Sequence, residues 1–391
     1  MNLPNPWGGL RGLPRELWIL FAVTAINRSG MMALPFLALY LTESLHFSPA
    51  DAGLALSCYG LGSMISSPFA GRLSDRLGPS FMMKASLLSS GLVLLLFPFL
   101  RDLLSIILLT AVWSICSEAF RPASLVVVSD YTELQNRKAG FALNRLGINL
   151  GMSIGPTLGG FLVMISYPAI FFVNGVVSLI AGAVLIMHPM RPVVHETDTS
   201  RAGVGMLRAL KDRRLVYIMA ALIPIMLVFF QNDAAMPLYL VREVGIREST
   251  FGMLFLINTG IILLLEVPLN ISMSHWKNGS AMALGALLIG AGYGAFAAAH
   301  GLPVVILAFV IWTFGEMILF PTSASYLADI APADRRGVYM GFYNLTFSIS
   351  FALGPWLGTL VYETWGGVIL WIGTFFVGCL AALMMRRAKD S

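Results

Sequence analysis

The chain has 391 residues, of which 57% are hydrophobic and only 12% charged, with a formal net charge of +5 and a mean hydropathy of +0.80. A soluble domain carries about 25% charged residues, so a water-soluble globule is excluded and the chain belongs in a bilayer. The positive balance is then an orientation signal, to be read loop by loop, and it does not point to nucleic acid.

The opening "MNLPNPWGGLRGLPRE" has no small-residue cleavage site, and the apolar run behind it extends from about residue 17 to 41, far longer than a signal-peptide core. It reads as an uncleaved first span. Cutting the rest at polar or Pro/Gly-rich breaks gives twelve runs in all, roughly 16–42, 50–71, 80–99, 104–129, 138–164, 169–187, 214–241, 250–272, 281–299, 304–329, 337–361 and 367–385, each near the ~20 residues that cross the hydrocarbon. Their backbone must be satisfied within the segment, and no alternating ten-residue strands occur, so all are helices. The expected fold class is an all-α integral membrane protein of twelve transmembrane helices. A polar, basic loop at 188–213 divides it into six-helix bundles at 1–187 and 214–391.

Lysine and arginine concentrate on alternate links. Arg11, Arg15, Arg72, Arg76, Lys84, Arg137, Lys138, the central loop, Arg335, Arg336, Arg386 and Arg387 fall on one side, against only Arg101, Arg242 and Arg247 on the other. The first side is therefore expected to be cytoplasmic, with both termini inside the cytoplasmic (inner) membrane.

A gapless shift of 199 superposes the halves: Trp113 falls on Trp312, Pro122 on Pro321, Asp130 on Asp329, Arg137 on Arg336, Gly155-Pro156 on Gly354-Pro355 and Gly159 on Gly358. An even number of spans separates the copies, so the repeat is parallel, about an axis along the membrane normal. That architecture places substrate at the interface of two pseudo-symmetric bundles that rock against each other.

Charges inside the runs are functional candidates, because lipid makes them costly. At about 1.5 Å per residue, Arg28 in span one, Glu118 in span four and Glu316 in span ten come near mid-membrane. Arg121 follows Glu118 by one turn, Asp233 in span seven lies nearer the outer end, and Glu266 in span eight and Arg145 in span five lie nearer the inner end. A carboxylate that alternates between an arginine partner and a proton couples proton movement to conformation. Glu118 is the first candidate, since Arg28 and Arg121 are both plausible partners; Glu316, Asp233 and Glu266 follow. A permanent Arg28–Glu118 bridge is the structural alternative. Tyr59, Trp113, Phe229, Gln231, Asn232 and Trp312 are candidate walls of an apolar cavity with a few polar anchors. The three cysteines and five histidines make no ligand or disulfide pattern, so neither a metal site nor an enzyme centre is expected.

The link between spans two and three, "GRLSDRLGPS", resembles the major facilitator superfamily signature: Gly71, Asp75, Arg76 and Gly78 match, while Pro79 and Ser80 replace the usual basic tail. The resemblance covers nearly the whole chain. It implies the major facilitator fold, with spans one, four, seven and ten lining the cavity, and a cytoplasmic latch between this link and Asp130. The segment "NLGMSIGPTLGG", with Gly151, Gly155, Pro156, Gly159 and Gly160, is similar to the motif of that superfamily's exporters, and span one resembles the drug:proton antiporter branch. In lipid, such small residues let helices approach closely, here as a bent hinge surface expected against span eight. The implied function is efflux of small amphipathic or drug-like molecules by alternating access. It would run on the proton gradient without a cofactor, with protons, substrate and lipid as partners of a monomer. A proton-coupled importer of peptides or sugars and a lipid flippase are the alternatives.

Overall fold

The computed structural model describes residues 12–30, 32–132, 137–190, 209–332 and 336–388; side chains at 67, 68, 71, 72, 75, 137, 138, 336 and 337 lie outside that description. Among the described residues there are helices and connections and no strand. Most of the central loop lies outside them.

The helices follow the twelve apolar runs. They are α1 (Arg15–Gly30, with Ala33–Leu39 and Tyr40–Ser44 following in the same apolar run), α2 (Pro49–Leu77), α3 (Pro79–Leu96), α4 (Leu103–Asp130), α5 (Arg137–Val163), α6 (Tyr167–Met187), α7 (Arg213–Asp233, continued by Ala235–Arg242), α8 (Glu248–Ser272), α9 (Asn278–Ala295), α10 (Leu302–Ile330), α11 (Arg336–Trp365) and α12 (Gly367–Arg386). Eleven helices in the described part are long and apolar enough to cross a membrane. The other, α2, has 29 residues, about 43 Å of helix, but glycine, serine and charge dilute its apolar content. Leu264, Val267 and Ile271 of α8 are exposed, as expected of a lipid-facing surface.

Local sequence explains the ends. Asp102 caps α4 by accepting from the Ser105 N–H at 2.8 Å, and this bond holds its carboxyl below the ordinary range. Pro79 starts α3 where a missing N–H costs nothing. Gly78 before it has φ +88°, a conformation that glycine adopts without strain.

The chain divides into two compact units, residues 1–34 with 62–197 and residues 35–61 with 198–391. In the first, α1 packs on α5 and α3 on α6. A Cβ on Gly175 would meet the Gly91 carbonyl at 2.9 Å, so these glycines set the α3–α6 approach. Phe97 stacks on Phe171 at 4.9 Å and meets Trp113 edge-on at 5.8 Å.

In the second unit, α7 packs on α11 and α9 on both α10 and α12. Gly290 and Gly378 repeat the close α3–α6 contact at α9–α12, where a Cβ on Gly290 would lie 2.7 Å from the Gly378 Cα. Residues 35–61 belong here because their small residues fit α11: a Cβ on Gly60 would lie 2.5 Å from the Ala352 nitrogen, and Ser57 Oγ accepts from the Trp356 N–H at 3.1 Å. Phe36 meets Phe251 edge-on at 5.5 Å. Arg242 Nε donates to Glu43 Oε1 at 2.5 Å, with the side chains 31% and 35% exposed; a pair that open to solvent contributes about 0–1 kcal/mol.

Candidate functional site

The first unit contains a cavity of about 280 Å³ lined by Arg28 of α1, Arg121 and Phe120 of α4, and Asn144, Arg145 and Phe141 of α5. Three of the four cations and acids proposed for this half therefore face one space; Glu118 is half-buried and is not part of its wall. Pro122 lacks the N–H that would bond to the Glu118 carbonyl, and the helix of α4 breaks at Ala119, between Glu118 and Arg121. Thr24 Oγ1 donates to Asn144 Oδ1 at 3.3 Å across the α1–α5 contact.

The second unit holds the carboxylates. Glu316 is only 9% exposed. Its Oε1 accepts from the Asn258 amide at 2.5 Å, and the same amide lies 2.9 Å from Thr313 Oγ1. Thr313 in turn donates to the Phe309 carbonyl at 2.6 Å. Glu266 lies within electrostatic reach of Glu316, and both Glu316 and half-buried Asp233 lie within reach of the Tyr293 phenol. Tyr293 donates to the Phe229 carbonyl at 2.7 Å, where α7 passes from α-helix into a short 3-10 turn, Phe230–Asp233. Among the described residues no arginine or lysine pairs with Glu316. The sequence singled out the three acids but not Asn258, Thr313 or Tyr293; an asparagine inside the apolar run "FLINTGIILL" is the signal that was there.

Of the expected cavity walls, Trp113 is 1% and Trp312 2% exposed, each packed among aromatic rings of its own unit. Tyr59 meets Phe351 edge-on at 5.7 Å. Gln231 Nε2 donates to the Gly354 carbonyl at 2.8 Å, while Gln231 Oε1, Asn232 Oδ1 and Trp312 Nε1 are buried without a hydrogen-bond partner.

At Gly151 and Gly155 the exporter-type stripe packs on α1 of the same unit. A Cβ on Gly151 would lie 2.3 Å from the Arg28 Cβ, and one on Gly155 2.9 Å from the Ser29 carbonyl. The repeat reproduces the contact: a Cβ on Gly354 would meet the Leu227 carbonyl at 3.2 Å, and Leu227 stands 199 residues after Arg28 as Gly354 does after Gly155. The physical reason is local. Glycines spaced by four line one face of α5, and at Gly151 and Gly155 that face lies against the adjacent helix of the same unit.

At the α2–α3 link, Gly78, Pro79, Ser80 and Lys84 line a cleft of about 220 Å³ together with Asp130 and Tyr131 of α4. The link and the proposed latch acid thus share one cleft. Arg76 is exposed, and the side chains at Gly71 and Asp75 lie outside the described residues.

A sequence model of the Major Facilitator Superfamily matches residues 17–242 and 218–388. The chain belongs to that superfamily. This facilitator is 24% identical over 356 residues to an uncharacterised MFS-type transporter, YqjV, of Bacillus subtilis, covering 89% of this chain and 87% of that one. It is 24% identical over 365 residues to a Na(+), Li(+), K(+)/H(+) antiporter of Planococcus maritimus, covering 84% and 85%. It is likewise 24% identical over 358 residues to the multidrug resistance protein MdtH of Aeromonas hydrophila, covering 86% and 88%. The crystal structure of the nucleoside transporter NupG superposes with a TM-score of 0.82 at 14% identity, covering 95% of this chain and 98% of that one. An auto-inhibited POT family peptide transporter gives 0.79 at 17% identity, covering 97% and 98%. These superpositions establish the facilitator fold, and the chain is a multi-pass membrane transporter.

Proposed function

We propose that this facilitator is a proton-coupled exporter of small amphipathic molecules, working by alternating access in the cytoplasmic membrane with both termini inside. The observation that carries the reading is Glu316. It is a buried carboxyl held by one amide, without a cation partner among the described residues, and it shares its neighbourhood with Glu266, Asp233 and the Tyr293 phenol. A carboxylate so enclosed is costly to keep charged, so its proton leaves when water or substrate reaches it and returns when the site closes. Glu316 thereby takes the first place that the sequence alone assigned to Glu118. The similarity to MdtH supports efflux, the proton gradient replaces any cofactor, and a monomer suffices.

A second reading is exchange of a monovalent cation for protons, favoured by the similarity to the Planococcus maritimus antiporter. Both are tested in proteoliposomes with an imposed pH gradient, using a panel of lipophilic cations, anions and neutral drugs beside Na⁺ and K⁺. Glu316→Gln and Glu118→Gln are assayed separately. Drug flux that collapses in Glu316→Gln supports the first reading; Na⁺ flux without drug flux supports the second. If both variants keep full gradient-driven transport, the carboxylate mechanism is wrong.

A further inference from the structure

Tyr293 of α9 stands between the buried carboxylates and the break in α7, all within the second unit. Its ring is fully buried, packed on Trp312 at 5.8 Å and edge-on to Phe296 at 5.9 Å. Glycines hold its helix in place. A Cβ on Gly290 would lie 2.7 Å from the Gly378 Cα of α12, and one on Gly292 2.6 Å from the Trp312 nitrogen of α10. The phenol is therefore fixed relative to α10, which carries Glu316 one turn after Trp312.

The α7 side of the contact is held less by its own backbone. The helix gives way to the 3-10 turn Phe230–Asp233, and Ala234 leaves helical geometry with φ −124° and ψ −91°. Pro237 has no N–H to offer the Asp233 carbonyl. Side chains hold the turn instead. Gln231 Nε2 donates to the Leu227 and Gly354 carbonyls at 2.9 and 2.8 Å, and the Tyr293 hydroxyl donates to the Phe229 carbonyl at 2.7 Å.

A helical carbonyl points along the axis toward the residue four positions on, which for Phe229 is Asp233. Asp233 also lies within electrostatic reach of the phenol. The hydroxyl thus has two acceptors in its neighbourhood and one hydrogen to give. A hydrogen bond to an ionised group is roughly twice as strong as one between neutral groups, so an ionised Asp233 outcompetes the carbonyl and a protonated one does not. Among the groups around the turn, α10 brings Glu316 and α9 brings Tyr293 itself. On α11, Tyr362 bonds Glu243 and Glu363 accepts from the Ala50 N–H at 2.8 Å; α12 carries only Cys379 and the terminal Arg386.

We propose that Tyr293 is a positioning residue of the coupling step. Its hydroxyl holds the Phe229 carbonyl while Asp233 is protonated, and turns to the Asp233 carboxylate when that proton leaves for water, which frees the α7 turn. The phenol keeps its own proton throughout. The place of this switch in transport rests on the carboxylate reading above; the switch itself is testable without transport.

The test is hydrogen–deuterium exchange on the full chain in phosphatidylcholine nanodiscs, without a gradient, read as protection factors for peptides covering residues 230–236 at pH 5.5 and pH 8. Wild-type protection is expected to fall about fivefold or more toward pH 8, the size of one intramolecular hydrogen bond. Tyr293→Phe should show low protection at both values and Asp233→Asn high protection at both. A merely structural tyrosine would lower protection without removing its pH dependence. Wild-type protection that ignores pH, an unchanged pH dependence in Tyr293→Phe, or one that survives in Asp233→Asn overturns the proposal. If Tyr293→Phe fails to fold, 3-fluorotyrosine placed at that position keeps the hydroxyl. Its fluorine resonance is expected to move over the same pH range with Asp233 present and to stay constant with Asp233→Asn; a resonance that behaves alike in both overturns the proposal. The expected protection pattern in a protein whose Glu316→Gln and Glu118→Gln variants keep full gradient-driven transport supports the switch and faults the coupling reading alone.

Discussion

The Asn258 side-chain amide donates to Glu316 Oε1 at 2.5 Å, and the two residues stand on different helices, α8 and α10. A hydrogen bond to a charged group contributes about 1.5–3 kcal/mol, roughly 10–150-fold in an equilibrium. If the charged form of Glu316 is part of the cycle, Asn258 stabilises it and ties it to α8. Asn258→Leu is therefore expected to lower gradient-driven flux at least about tenfold, while substrate counterflow, which needs no net proton movement, stays within about twofold of wild type. Equal losses in both assays would mean that Asn258 only holds the helices together.

The second prediction concerns Gln231 and Gly358. A Cβ built on Gly358 would lie within bonding distance of the Gln231 amide, which already donates to the Gly354 carbonyl at 2.8 Å. Overpacking of this kind costs about 1–3 kcal/mol. Gly358→Ala should lower the thermal midpoint in detergent by several degrees, and Gln231→Ala in the same chain should recover most of the loss. Additive rather than compensating effects would show that the glutamine is not what fills the glycine's place.

The twelve helices were legible because hydropathy and length are properties of each segment. The repeat was legible too, and the structure gives its shared Gly-Pro a shared contact, Gly155 on the Arg28 carbonyl and Gly354 on the Leu227 carbonyl. What one sequence did not carry is which neighbour each face meets. The stripe of Gly151 and Gly155 reads as a packing surface from its spacing alone, yet nothing in that spacing names α1 as a helix it packs on. Likewise the symmetric Trp113 and Trp312 mark equivalent positions in two halves, and equivalence says nothing about access; at 1% and 2% exposure both are core residues. Glu316 stands out in the sequence because a lone acid in an apolar run is conspicuous. Asn258 stands in a run without any charge to mark its depth, although burial imposes on it the same need for a partner.

Gly78 and Gly341 should respond in opposite directions to the same substitution. Neither has an atom within 4 Å of a built Cβ, so no clash is involved at either. Gly78 has φ +88°, where a side chain costs about 1–3 kcal/mol in backbone strain. Gly341 lies within helix α11, where alanine is favoured by about 0.5–1 kcal/mol. Gly78→Ala is expected to lower the thermal midpoint and Gly341→Ala to hold or raise it. A matched fall in both would point to lost lipid or partner contacts instead of strain.

Asp212 provides a pH test outside the membrane-spanning segments. Its carboxylate caps α7, accepting from the Arg214 N–H at 2.8 Å and from the Tyr339 hydroxyl at 2.6 Å. Partial burial alone would raise its pKa, but the hydrogen bonds from Tyr339 and the Arg214 and Leu215 backbone, with the Arg214 charge, outweigh it and hold the carboxyl below its ordinary value of 3.8. A carboxyl depressed in the folded state contributes stability above its unfolded pKa and loses it as pH falls through the folded value. Asp212→Ala should therefore destabilise at pH 7 by about 0.5–2 kcal/mol, the usual range for a lost cap. The gap from wild type should hold down to about pH 4 and narrow below it, as the wild-type carboxylate is protonated. Tyr339→Phe removes one donor and should reproduce part of the same pH dependence, read as detergent-solubilised thermal midpoints from pH 7 to pH 3. A gap that stays constant across that range would show that the carboxylate's charge contributes nothing to this cap, leaving only its shape.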